Sequence, residues 1–172
     1  MKEFSQKIVL TGFMGVGKTT VAHHLGSLLK TNAKDLDDEI ELTENKDVAA
    51  VIAENGEDYF RDLEHQILQK LLEEGTVVIA LGGGTFTFER NRELIKNHQC
   101  MSIWLESTFD HSWHNIRRSK VVRPLAADKN KAERLYNDRL QSYCLADWHF
   151  VIHAGYTSFD VAERIFNDIY GS

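Results

Sequence analysis

Residues 12–20 read Gly-Phe-Met-Gly-Val-Gly-Lys-Thr-Thr, and no other segment of the 172-residue chain constrains its fold as tightly. The spacing G-x-x-x-x-G-K-[ST] is complete, with Gly12, Gly17, Lys18 and Thr19 in place. Apolar Ile8, Val9 and Leu10 precede it, as a buried strand requires, and Val21, Leu25, Leu28 and Leu29 follow on one helical face. A strand, a glycine-rich turn and a helix N-terminus in that order form a phosphate cradle. The turn aims successive backbone N–H groups inward, and the helix end adds partial positive charge. The expected phosphate contacts are Gly15, Val16, Gly17, Lys18, Thr19 and Thr20, with Lys18 reaching the β- and γ-phosphates of a nucleotide and the Thr19 hydroxyl ligating Mg²⁺.

The rest of the chain repeats the alternation of short apolar runs and longer helical patterns. Strands are expected at 8–10, 76–81, 100–105 and 149–152, with a weaker one at 33–36. Helical periodicity marks 48–55, 59–73, 90–97, 109–118, 131–144 and 159–169, and Thr157 with Asp160 reads as a capping box for the last of these. Alternation of this kind predicts an α/β fold. The expected form is a P-loop three-layer α/β/α sandwich around a central, mostly parallel five-stranded sheet, with ligands at the carboxyl ends of its strands. One domain is expected over 1–172, with a polar, pattern-free lid segment at about 119–130 around Pro124, the only proline.

Charge and cysteines narrow the partners. A net charge of −6 argues against a nucleic-acid partner, so any anion site must be built locally from placed arginines and backbone N–H groups. No apolar run approaches the roughly 18 residues of a membrane span, and the N-terminus is polar rather than signal-like. Cys100 and Cys144 lie far apart and match no metal spacing, which fits a reducing cytoplasm and an expected monomer. His111 and His114 stand three apart on one helical face but have no third ligand near in sequence.

Four further motifs carry candidate chemistry, each with an ordinary alternative. Asp35 and Asp37, two apart on an extended segment, would face the same side, one toward Mg²⁺ and one toward an attacking hydroxyl; the alternative is a solvated acidic helix start. Arg61 and Glu64 could be a helix-surface ion pair, or Arg61 could offer its planar fork to a carboxylate. Gly82, Gly83 and Gly84 end an apolar strand, where missing side chains let a ligand approach the backbone; otherwise they form a flexible turn. Arg123 precedes Pro124, which holds it extended, and an arginine on a closing lid can stabilise charge on a transferring phosphoryl group. Arg139 lies beside Arg134 and Asp138 and could equally belong to a solvated charged face.

Taken in order, these residues resemble the shikimate kinase family over nearly the whole chain. The resemblance rests on residues 12–19, Asp35-Leu36-Asp37 with Glu39-Ile40-Glu41, Gly56-Glu57 and Phe60-Arg61-Asp62-Leu63-Glu64. It continues through Gly82-Gly83-Gly84, Arg123-Pro124-Leu125 and Leu135-x-x-x-Arg139-x-x-x-Tyr143. It implies transfer of the ATP γ-phosphoryl group to the 3-hydroxyl of shikimate, in aromatic amino-acid biosynthesis. It further implies that Lys18, Asp37 and Arg123 are catalytic, and that Asp37, Arg61, Arg139 and the Gly82–Gly84 backbone bind shikimate. Thr19 and Asp35 would serve Mg²⁺, and Arg118 would stack on adenine, a role Arg117 could fill equally.

The chain departs from the family pattern at Leu36, at Ala33-Lys34, at Val121-Val122 in the lid, and at Thr85-Phe86, which would alter the pocket wall. Rival readings are a kinase of another small polyol acid or sugar, needing Lys18, Thr19 and Asp37 but not both arginines, and a nucleotide-binding protein without transfer activity.

Overall fold

The computed structural model describes residues 6–120 and 123–171. Five strands form one sheet: β1 (Lys7–Thr11), β2 (Ala33–Asp35), β3 (Val78–Ala80), β4 (Cys100–Glu106) and β5 (Trp148–Val151). Their order is β2-β3-β1-β4-β5, and every pairing is parallel. The expected mostly parallel sheet is therefore parallel throughout. The chain moves outward to β2, returns through β3 to the neighbour of β1, then crosses to β4. The carboxyl end of β1 is thus the point where the winding reverses, and it carries the glycine-rich loop.

Side chains on successive strand positions alternate between two cores, as the pleat requires. Ile8 and Leu10 of β1, Val78 and Ala80 of β3, and Ile103 and Leu105 of β4 pack with Leu25, Val161 and Ile165. Those last three lie on α1 (Lys18–Leu28) and α8 (Ser158–Tyr170), which form one outer layer. Val9, Ile79 and Trp104 point the other way, into a core shared with Ile40, Val51, Leu68, Ile95, Ile116 and Tyr143. These belong to α2 (Leu36–Glu44), α3 (Val48–Asn55), α4 (Glu57–Glu73), α5 (Glu89–Asn97), α6 (Phe109–Arg118) and α7 (Lys129–Tyr143). Strands buried on both faces explain why these runs read as continuously apolar.

Most sequence boundaries hold to within two residues, and the Thr157–Asp160 capping box is present at the start of α8. Three elements differ. The strand expected at 76–81 is shorter, because only 78–80 stand in register with both neighbouring strands, while Val77 and Leu81 add one backbone bond each to β1. The helix expected from 131 begins at Lys129, because the Asp128 carboxylate caps it by accepting from Lys131 N–H. The weak strand at 33–36 ends at Asp35, where Asp35 becomes the N-cap of α2 and accepts from the N–H groups of Asp37 and Asp38. Asp37 therefore sits in the first turn of a helix rather than two residues along a strand. In the lid segment, Arg123 is extended (φ −121°, ψ 96°), as the following proline demands, and a 3₁₀ turn follows at Pro124–Ala126. Val121 and Val122 of that segment lie outside the described residues.

Candidate active site

The glycine-rich loop joins β1 to α1 through Gly17, whose φ of +104° is left-handed and suits glycine alone without strain. No side chain caps α1, so its first-turn N–H groups face the loop's interior with no side-chain partner. Gly15 is placed by α6: its carbonyl accepts from Asn115 Nδ2 at 2.9 Å. Val16 is buried against α1 and holds the loop to the core.

Lys18 folds back into the loop, donating from Nζ to the carbonyls of Gly12 (2.8 Å) and Phe13 (3.0 Å). Burial drags its pKa from 10.5 down to about 8, opposed by the charges of Asp35 and Asp37. Thr19, beside it, donates from Oγ1 to Asp35 Oδ2 at 2.5 Å. A hydroxyl and a buried carboxylate in contact form a hard oxygen donor set of the kind Mg²⁺ prefers, so Thr19 and Asp35 fit the ion expected there. Thr20 is exposed on the first turn of α1.

Across the cleft the Gly82–Gly84 segment follows β3, lying against the groups that the sequence nominated. A methyl group placed on Gly82 would stand 2.9 Å from Asp37 Oδ1 and 3.1 Å from Glu64 Oε1. On Gly83 it would meet Arg139 Nη1 at 3.2 Å, and on Gly84 Arg61 Nη2 at 2.8 Å and Arg139 Nη2 at 3.0 Å. Two guanidinium groups and a carboxylate thus converge on backbone that has no side chains to keep them off. Arg61 Nε and Arg139 Nη1 are buried with no hydrogen-bond partner, an arrangement that awaits an anion.

Asp37 is the most perturbed acid here. Burial first, then the charges of Asp35 and Glu64, push its pKa from 3.8 to about 7, while Lys18 pulls the other way. Arg123 reaches the same place from the lid segment. Its Nη1 is buried and unpaired, and Asp37 is the charge that opposes the lowering of its pKa by burial.

The ordinary alternatives fail for physical reasons. Arg61 does pair with Glu64, at 3.1 Å, but Glu64 is 1% exposed and the pair belongs to the cleft rather than the surface. Arg139 is buried while its neighbours Arg134 and Asp138 are exposed, because it lies on the face of α7 that carries Tyr143. Arg118, by contrast, is exposed on the last turn of α6, with its guanidinium 3.5 Å from His114 Nε2, and Arg117 is exposed beside it. His111 is turned to Asn115 (3.2 Å), so the two histidines have separate helix-surface partners.

Three supporting groups were not assigned from sequence. Glu64 accepts from Arg61 and from the Thr85 hydroxyl (2.6 Å). Its signal was available: it falls on the apolar stripe of Phe60, Leu63, Ile67 and Leu68, where a lone acid needs a buried partner. Tyr143, fully buried, donates to the Gly83 carbonyl at 2.5 Å and pins the glycine segment. Its spacing of four from Arg139 puts both on one helix face. Phe88 packs over Arg61, and nothing in the sequence marks it. A separate hollow of about 620 Å³, lined by Arg92, Lys96 and Cys100 among others, lies toward the amino end of β4 and holds none of these groups.

Comparison with known proteins agrees with this geometry. The family model described as shikimate kinase matches residues 14–170. A shikimate kinase of Ruegeria pomeroyi is 37% identical over 162 residues, 92% of this chain and 82% of the relative. Another, from Cereibacter sphaeroides, is 38% identical over 135 residues, 78% of this chain and 67% of the relative. Among solved structures, a shikimate kinase from Acinetobacter baumannii in complex with shikimate superposes with a TM-score of 0.90. It is 30% identical, covering 98% of this chain and 95% of that one. With a complete phosphate loop facing a doubly cationic glycine floor across one cleft, and relatives matched along almost its whole length, the chain belongs to the shikimate kinase family.

Proposed function

We propose that this cleft performs the shikimate kinase reaction, moving the γ-phosphoryl group of ATP to the 3-hydroxyl of shikimate and leaving ADP and shikimate 3-phosphate. The observation that carries the assignment of residues is the convergence of Arg61 and Arg139 on Gly83–Gly84 beside a half-buried Asp37 in the field of Lys18. Two guanidinium groups, each with one buried N–H left unpaired (Arg61 Nε and Arg139 Nη1), suit one carboxylate, and a proton acceptor next to them suits a hydroxyl on the same small ring.

In this reading the nucleotide phosphates enter the loop of Gly15, Val16 and Gly17 and the first turn of α1, including Thr20. They replace the Gly12 and Phe13 carbonyls as partners of Lys18 and hold it protonated. The exposed Arg118 flanks the adenine side. Arg61, Arg139 and the backbone of Gly82, Gly83 and Gly84 seat the acid so that its hydroxyl meets Asp37. The hydroxyl oxygen forms a bond to the γ-phosphorus while the bond from that phosphorus to the ADP oxygen breaks. The hydroxyl proton passes to the Asp37 carboxylate. Lys18 and Arg123 neutralise charge on the transferring group, and the lid segment at about 119–130 brings Arg123 to it. Thr19 and Asp35 would hold Mg²⁺, which when bound supplies charge neutralisation at the phosphates.

The single domain is read as a cytoplasmic monomer. Among the described residues both cysteines are free and no helix is long and apolar enough to cross a membrane. A coupled ADP-release assay with Mg-ATP and shikimate, quinate, gluconate or no acceptor tests the reading. Strong turnover with shikimate alone is expected, and Arg139→Ala should weaken shikimate binding by ~2–5 kcal/mol. Turnover only with another acceptor would overturn the roles of Arg61 and Arg139. ATP binding without any turnover would overturn the catalytic reading altogether.

A further inference from the structure

Arg61 is held in a way that its ion pairs do not explain. Its guanidinium carbon stands 5.1 Å from the centroid of the Phe60 ring and 5.2 Å from that of Phe88. Both lie within the roughly 6 Å at which a cation is attracted to an aromatic face. Phe60 is buried and comes from the same helix. Phe88 comes from the other side of the cleft, four residues beyond Gly84, in an extended conformation just before α5.

The Phe88 ring is held in place by its neighbours. Arg92 Nη1 donates to the carbonyls of Phe86 (2.7 Å) and Thr87 (2.8 Å). Arg90 spans back to α4, donating to Asp62 Oδ1 at 2.8 Å and to the Arg61 carbonyl at 2.9 Å. Arg92 therefore fixes the backbone just before Phe88, and Arg90 ties the start of α5 to the helix bearing Arg61. Phe88 is the N-cap residue of α5, with its carbonyl accepting from the Asn91 and Arg92 N–H groups, but its side chain makes no capping hydrogen bond.

The Arg61 fork donates from Nη1 to Glu64 and, at 3.4 Å, from Nη2 to the exposed Glu57; both Nη atoms also stand against Gly84, and Nε is buried and unpaired. The faces of the guanidinium are where water would otherwise compete. Arg61 keeps only 11% of its side-chain surface exposed. Excluding water there strengthens its attraction for an incoming anion, because the local dielectric falls.

We propose that Phe88 is a specificity-determining positioning residue, whose aromatic ring covers Arg61 and fixes the plane in which it presents its N–H groups to the acceptor's carboxylate. This rests on the acceptor reading given above. It also moves the wall-shaping departure from Thr85-Phe86 to a residue two positions on. Thr85 turns its hydroxyl to Glu64, and Phe86 is buried in the core.

The test is a series at one position, Phe88→Tyr, Phe88→Leu and Phe88→Ala, in the whole chain. Phe88 is half-buried, and thermal unfolding of each variant checks that the protein is folded. With Phe88→Ala the KM for shikimate is expected to rise about 5- to 20-fold, the range of a partly desolvated cation–aromatic contact. The KM for ATP should stay within about two-fold. Phe88→Tyr should match the wild type, and Phe88→Leu should fall between Tyr and Ala. The uncovered ion pair should also be more easily screened. Raising KCl from about 0.05 to about 0.5 M should therefore lift the shikimate KM of Phe88→Ala more steeply than that of the wild type.

An unchanged shikimate KM in Phe88→Ala, equal rises in both KM values, or a Leu variant indistinguishable from Tyr would each overturn the proposal. If wild-type protein fails to turn over shikimate, the acceptor reading falls first. If wild-type turnover is intact and the variants are unaffected, only the role of Phe88 falls.

Discussion

Asp37 shows what a single half-buried carboxyl gives up for its place in the cleft. Its pKa is pushed from 3.8 to about 7, so between those values the folded chain retains a proton that the unfolded chain has released. Stability that the neutral acid permits is lost as pH rises through that window. Asp37→Asn should therefore be more stable than the wild type at pH 8, by on the order of 2–4 kcal/mol, with the gap closing only as pH falls to about 4. The same variant should lose ~10²–10⁴-fold in turnover, as expected for removal of a general base. For the wild type, kcat/KM should fall below about pH 7 as Asp37 is protonated and above about pH 8 as Lys18 loses its charge. The two groups lie within each other's field, so the limbs of the profile belong to the pair. An acid limb surviving in Asp37→Asn would assign that limb elsewhere, and equal melting at both pH values would contradict the burial of its charge.

At the scale of elements, the site is an arrangement of helix ends and two helix faces. α1 contributes its uncapped N-terminus, α2 its first turn, α4 a face carrying Arg61 and Glu64, and α7 a face carrying Arg139 and Tyr143. The N-cap of α7 is remote from that face, since Asp128 lies three helical turns before Arg139. Asp128→Ala removes the acceptor for Lys131 N–H and should cost about 1 kcal/mol. That corresponds to a melting temperature lower by about 2–4 °C. The KM for shikimate should remain within about two-fold, because packing of the helix, not its cap, sets the position of Arg139. A large rise in KM would mean that fraying at Asp128 reaches the guanidinium.

For the whole molecule, binding and closure can be separated. Shikimate at about a hundred times its Kd should stabilise the wild type by about 2.7 kcal/mol through mass action. Arg139→Ala should cut that stabilisation to below about 1 kcal/mol at the same concentration. Arg123→Ala should keep it while losing up to ~10³-fold or more in kcat, since Arg123 acts on the transferring group rather than on the carboxylate. Loss of the shift in both variants would place Arg123 in the acceptor site instead. The phosphate loop, the alternation that makes a parallel sheet and the capping box of α8 depend on contacts within a few residues, so the sequence alone determined them. Arg123's extended backbone is local in the same way, being forced by Pro124. The desolvation of Asp37, the burial of Arg139 beside exposed Arg134 and Asp138, and the meeting of Phe88 with Arg61 were left to the tertiary structure. Each depends on which face of an element meets another element distant in the chain. A charged side chain reads the same in sequence whether it faces solvent or a cleft, and only packing of the layers decides between desolvation and hydration.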